Sequence, residues 1–281
     1  MKRTVKHQVQ GYPTKDGAGV SLVRVLGINT AKEYDPILML DSFDSQNPED
    51  YRAGFPMHPH RGIETISYIA RGKMQHRDSL GHSDTISDGE VQFMTAGSGI
   101  LHEEMIPDSE RVLGVQLWLN LPKKDKMTTP AYHSIKREDI KEIPLEGGKL
   151  RLLVGDYKEH SGFQGQYLPI DYYDIQLEPN AKVQIETKEN RSVMVFTLLG
   201  DAVVGGVHVL EKTAAKLTEG SSVEIEAKEN GVQLLLISSE KLEEEIAWGG
   251  TVVMNTQREI QQAFFELSAG NFLKQSMKYE E

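Results

Sequence analysis

Apolar positions along this chain recur every second residue, in short segments separated by Gly, Pro, Asn and Asp. A period of two with frequent turn residues is the mark of β-strands. Residues 1–35 read as an opening hairpin, with VSLVRVL at 20–26 following the turn Lys15-Asp16-Gly17-Ala18-Gly19. The run PILMLD at 36–41 is continuously apolar, as in a strand covered on both faces. ETISYIA at 64–70, KMQHRDS at 73–79 and VQFMT at 91–95 follow, each closed by a glycine turn. VLGVQLWLNL at 112–121 alternates, with Val115, Leu117, Leu119 and Leu121 on one face and Gly114, Gln116, Trp118 and Asn120 on the other.

Residues 122–144 are polar and read as an excursion, and a domain boundary falls near Leu145-Glu146-Gly147-Gly148. The expected domains are 1–145 and 146–281. The second half repeats the strand pattern more weakly, at 149–154, 172–177, 192–199, 202–209, 222–227 and 232–238. Only near the end does the period change. Thr256-Gln257-Arg258-Glu259 has the form of a capping box, and Ile260, Ala263, Phe264 and Leu267 follow at helical spacing before Gly270. This predicts a short amphipathic C-terminal helix. KLEEEI at 241–246 reads as a surface turn of helix, and Lys123, Lys124 and Lys126 as a solvated basic face.

With 281 residues, 38% hydrophobic and 26% charged, the chain has material for two ordinary domains with cores. Its net charge of −11 opposes the electrostatic footprint of a nucleic-acid-binding protein. No run approaches the roughly 18 apolar residues of a membrane-spanning helix, and MKRTVKHQVQ has no apolar stretch behind its positive charge. A cytoplasmic location is expected. There is no cysteine, so any metal must be held by nitrogen and oxygen.

Two stretches carry such donors: Met57-His58-Pro59-His60-Arg61-Gly62-Ile63-Glu64, and Gly97-Ser98-Gly99-Ile100-Leu101-His102-Glu103-Glu104. On a strand alternate side chains share a face, so His58 with His60, and His102 with Glu104, can each meet one ion. Pro59 favours extended backbone around the first pair. Gly97-Ser98-Gly99 reads as a tight turn into the second. By alternation Glu103 points away from His102, and Glu64 is a candidate to orient a ligand imidazole from behind.

These motifs resemble the pirins, a family within the cupin superfamily. The resemblance rests on His58 to Tyr68, His76-Arg77-Asp78-Ser79, Val91 to Met105 and Gln116 to Pro122, and more weakly on Ala247-Trp248-Gly249-Gly250 and Val253-Met254-Asn255-Thr256. It implies an all-β bicupin: two jelly-roll-type antiparallel β-barrels facing each other, with metal in the N-terminal barrel only. It further implies one divalent ion, usually iron, on His58, His60, His102 and Glu104, while the acid matching the general cupin motif, Glu64, is not a ligand. Ile106 stands where that motif has asparagine, and Phe93 where pirins often have tryptophan.

The function so implied is a dioxygenase of quercetinase type, cleaving a flavonol with dioxygen, with Glu104 accepting the flavonol's hydroxyl proton. The alternative is a non-enzymatic iron-containing, redox-sensing module that binds a protein partner. Nitrogen and oxygen donors suit Mn, Ni, Cu and Zn as well as Fe(II). An octahedral ion on four ligands keeps two positions open, whereas four-coordinate zinc would be closed.

Overall fold

The structure, a computed structural model, describes residues 1–276. It is built almost wholly of antiparallel strands, with one α-helix among the described residues, Gln257–Ser268. No helix is long and apolar enough to cross a membrane. The chain divides into two compact units: residues 13–22, 37–136 and 242–281 form one, residues 1–12, 23–36 and 137–241 the other.

In the first unit the strands are β1 (Ile37–Ser45), β2 (Phe55–His60), β3 (Ile63–Arg71), β4 (Lys73–Asp78), β5 (Ser83–Ser87), β6 (Glu90–Thr95), β7 (Ile100–Met105), β8 (Val112–Asn120) and β9 (Ala131–Ile135). They form two sheets. One runs β9-β6-β3-β8-β1 as five neighbours of seven strands, and the other is β2-β7-β4-β5. β1, β3, β6 and β8 are buried along nearly their whole length, so continuous apolar runs become strands covered on both faces. β2, β7 and β4 form the sheet that carries the histidines, with His102 directly opposite His58 in the register.

Two short strands near the end of the chain, Ala247–Gly249 and Val252–Met254, also belong to this unit. Ile260 and Ala263 of the helix pack with Ala247, Val252 and Met254, which buries the helix's apolar stripe. Its start is a true capping box, Thr256 accepting from the Glu259 backbone while Glu259 reaches back to the N–H of Thr256. Phe264, expected on that stripe, is 45% exposed.

The other unit has its own seven-stranded sheet, ordered Lys141–Leu145, Gly148–Val154, Ile170–Leu177, Val232–Ser239, Ser192–Leu199, Thr213–Leu217 and Val5–Gln10, and a core of Leu, Val and Ile side chains. Leu145, where composition suggested the first domain ends, closes a strand that hairpins through Glu146-Gly147 into Gly148–Val154. Each half of the chain also lends a terminal or near-terminal segment to the other unit, an exchange that composition does not record.

Three local expectations change. Residues 241–246 have no regular structure: Glu243 lies at φ +54°, and Glu244 accepts from the backbone N–H of Lys123. A six-residue segment without a cap gains more from that tie than from one helical turn. The polar excursion holds β9 and the strand Lys141–Leu145, both fixed by cross-strand pairing. Lys126 is not solvated: it is 2% exposed and donates to the carbonyls of Gly62 and Val253 and to Asn120 Oδ1. All three of its N–H groups have acceptors, which offsets the cost of burial. Burial still pulls its pKa down to about 7.

Candidate metal centre

Strand β2, which carries His58 and His60, ends in a turn that only glycine permits. Gly62 sits at φ +78°, and a Cβ there would lie 2.0 Å from the Val253 carbonyl oxygen. Gly97, entering β7 at φ +48°, would place a Cβ 2.3 Å from the Thr128 carbonyl. The two donor pairs are thereby set on neighbouring antiparallel strands. Arg61 anchors the turn, donating to the Ser98 and Phe272 carbonyls and pairing with Glu266 at 2.8 Å.

His58, His60 and His102 come together, one ring nitrogen of each lying within 4.8 Å of the other two. Their ring centroids are 4.4 to 5.0 Å apart. His102 is fully buried and His60 1% exposed. The outer nitrogens decide what the inner ones can do. His58 Nδ1 lies 2.8 Å from the Pro56 carbonyl and His60 Nδ1 3.1 Å from the Thr251 carbonyl. A carbonyl accepts only, so both Nδ1 atoms carry the proton and both Nε2 atoms carry a lone pair in the neutral rings.

A third relay fixes His102. His76 Nε2 lies 2.9 Å from Asp78 Oδ2, and His76 Nδ1 lies 3.5 Å from His102 Nδ1. With Asp78 accepting from Nε2, the Nδ1 of a neutral His76 accepts from His102, whose Nε2 lone pair is then turned into the cluster. That Nε2 is buried and has no hydrogen-bond partner. His58 Nε2 and His60 Nε2 approach to 3.0 Å with no proton assigned between them. Three lone pairs converge on one point, an arrangement that calls for an electrophile and fits a metal ion. Burial, and next the neighbouring His58, lower the His60 pKa to about 3; burial likewise takes His102 well below its usual value. Both rings are held in the form that binds metal.

Glu104 stands apart from this trio. A bulge between His102 and Glu104 places Glu104 opposite Phe55. Its Oε1 accepts from Gln92 Nε2 at 2.7 Å and Ser67 Oγ at 3.3 Å, and its Oε2 from Gln116 Nε2 at 2.6 Å. Gln116 also accepts from Trp118, whose ring stands edge-on to His60 at 5.0 Å. The polar face of the 112–121 alternation therefore lines the site.

Glu103 points outward and pairs with Arg77 at 2.9 Å. Glu64 is buried on the face of β3 opposite Ser67; Thr95 donates to its Oε1, and its Oε2 has no partner. It touches no ligand imidazole, and burial raises its pKa to about 7.

The residues that sequence reasoning left out are His76, Asp78, His82, Tyr132 and Thr251. Met74, His76 and Asp78 alternate inward on β4, a pattern readable from KMQHRD. His76 stacks on Tyr132 with centroids 4.1 Å apart, and the half-exposed His82 reaches Asp78 at 2.9 Å. Burial alone would raise the Asp78 pKa, but hydrogen bonds from His76 and His82 outweigh it and hold the carboxylate below its usual range.

Residues 19–119 match the pirin family, and residues 172–273 match the pirin C-terminal cupin domain. Human pirin is 35% identical over 257 residues, covering 89% of this chain and 87% of its own. A pirin-like protein of Caulobacter vibrioides is 35% identical over 274 residues, covering 96% and 99%. The chain belongs to the pirin family. A crystal structure of quercetin 2,3-dioxygenase from Acinetobacter baumannii superposes with a TM-score of 0.89 at 31% identity, covering 97% of this chain and 99% of that one. The bicupin architecture expected of a pirin is thus the architecture found.

Proposed function

We propose that this pirin is a metal-dependent dioxygenase, cleaving a flavonol such as quercetin with dioxygen, and that its metal is iron held by His58, His60, His102 and Glu104. The observation that carries the reading is the convergence of three imidazole lone pairs, each fixed by a partner on the far side of its ring. The similarity to a structure named quercetin 2,3-dioxygenase supports the substrate class.

A bound ion would polarise the substrate's oxygen and bring substrate and dioxygen together. The protein's part is positioning and proton transfer. Gln92, Ser67 and Gln116 orient the Glu104 carboxylate; Oε1 accepts from both Gln92 and Ser67, while Oε2 accepts from Gln116 alone and keeps one lone pair for the ion or for the flavonol hydroxyl proton. Trp118 supplies an aromatic wall beside His60.

The test is dioxygen uptake with quercetin, alongside metal analysis, for wild type, His58→Ala and Glu104→Ala. Uptake in wild type, with metal and uptake both lost in His58→Ala, is the expected result. Glu104→Ala loses uptake; retained iron assigns it to proton transfer alone, and lost iron makes it a ligand. Absence of uptake by iron-loaded wild type sinks the enzymatic reading in favour of an iron-holding regulatory module.

A further inference from the structure

The hairpin of Ala247–Gly249 and Val252–Met254 belongs to the same unit as the three histidines, and it is clamped on two sides. Ala247, Val252 and Met254 pack against Ile260 and Ala263 of the helix. At its tip the Thr251 hydroxyl donates to the carbonyl of Pro59, the residue between His58 and His60. Trp248 rides on this fixed support. Its ring lies against Trp118, with centroids 5.8 Å apart and planes 28° from parallel, and Trp118 in turn stands edge-on to His60 at 5.0 Å. The three rings form a row leading from the histidine cluster toward solvent: His60 and Trp118 are 1% and 6% exposed, whereas Trp248 is only partly buried.

What the row can bind follows from what its polar atoms already do. The indole N–H of Trp118 donates to Gln116 Oε1 at 3.3 Å, and that of Trp248 to the Gly250 carbonyl at 2.9 Å. Both donors are taken, so the row offers a ligand ring surface alone. Ring surface is best met by another flat ring, stacked with an offset or edge to face. The chain has two tryptophans in all, and both stand here.

We propose that Trp248 is a specificity-determining residue, stacking on the rings of the substrate that lie beyond its hydroxyl and ketone and so selecting a multi-ring flavonol over a single-ring hydroxyketone. This rests on the flavonol reading above and adds to it the residue that would recognise the rest of the molecule.

Anaerobic titration of the iron-loaded full chain with 3-hydroxyflavone and with maltol, each followed by its absorbance change on binding, tests the proposal without turnover. Both compounds carry a hydroxyl beside a ketone; maltol has a single ring, whereas 3-hydroxyflavone adds a fused benzene ring and a pendant phenyl. Trp248→Leu keeps an apolar cover over Trp118 and removes the ring face. It should weaken 3-hydroxyflavone about three- to tenfold and leave maltol unchanged, and Trp248→Phe should restore most of the loss. Equal weakening of both compounds would mean that Trp248 only props Trp118, and overturns the proposal. Unchanged 3-hydroxyflavone affinity in Trp248→Leu overturns it too, and either result leaves the flavonol reading standing. Wild type that binds neither compound overturns both.

Discussion

His76 touches no metal in the proposed site, yet its removal should be felt there. Consider His76→Phe. Phenylalanine keeps the ring stacked on Tyr132, so packing changes little. What is lost is the acceptor for His102 Nδ1, in a place with no exposure to water, together with the donor to Asp78 Oδ2, which His82 still reaches. A buried N–H without a partner costs about 1–3 kcal/mol. His102 would escape that cost by moving its proton to Nε2, the nitrogen that must face the metal. Binding has to reverse that shift, so metal affinity should fall by about 10- to 100-fold, the range typical of such outer partners. Competition against a chromophoric chelator under anaerobic conditions measures it, with His58→Ala as the larger loss expected for a ligand. His76→Gln offers a carbonyl oxygen in place of the ring nitrogen and should recover part of the affinity. Affinity unchanged in His76→Phe, or an equal loss in both variants, would refute the tautomer argument.

Two further outcomes concern stability. Glu64 has its carboxyl raised by burial from 4.5 to about 7, so the folded protein binds the extra proton between those values. Wild type should therefore lose about 3 kcal/mol relative to Glu64→Gln as pH rises from below 4.5 to above 7; urea unfolding at several pH values that gave parallel curves would rule this out. Thr256→Ala removes one half of the capping box and should cost the helix about 1 kcal/mol. Amide exchange should quicken across Gln257–Ser268 while β3 and β8 stay protected, and uniform quickening would mean that the helix opens only with the whole unit.

Both donor pairs were legible because strand alternation is a local rule, and His58, His60 and His102 obey it. Glu104 obeys it less simply, since the bulge after His102 is a property of pairing with β2 and leaves no trace in ILHEEM. Trp118 and Gln116 were placed on one face of their strand, but nothing in the alternation said that this face lines the site. His76 was within reach: inward alternation on KMQHRD would have brought it beside Met74 and Asp78. The Thr251 carbonyl was not, because a backbone oxygen acting on a histidine 191 residues away has no residue-type signature. Lys126 misled for the opposite reason. A lysine beside two others looks solvated until three distant acceptors are seen around it.

That long-range tie to Thr251 bears on how the protein is made. The unit holding all three histidines takes residues 242–281 from the far end of the chain, including the carbonyl that sets the His60 tautomer and the strands that Arg61 and Lys126 grip. A nascent chain that has emerged only as far as β9 possesses every imidazole but lacks the clamp on one of them. Domains often fold as they emerge from the ribosome, first half first. Here the half that carries the three histidines can finish only after the other half has been synthesised, so under the proposed function tight loading of the ion becomes one of the last events in the protein's maturation.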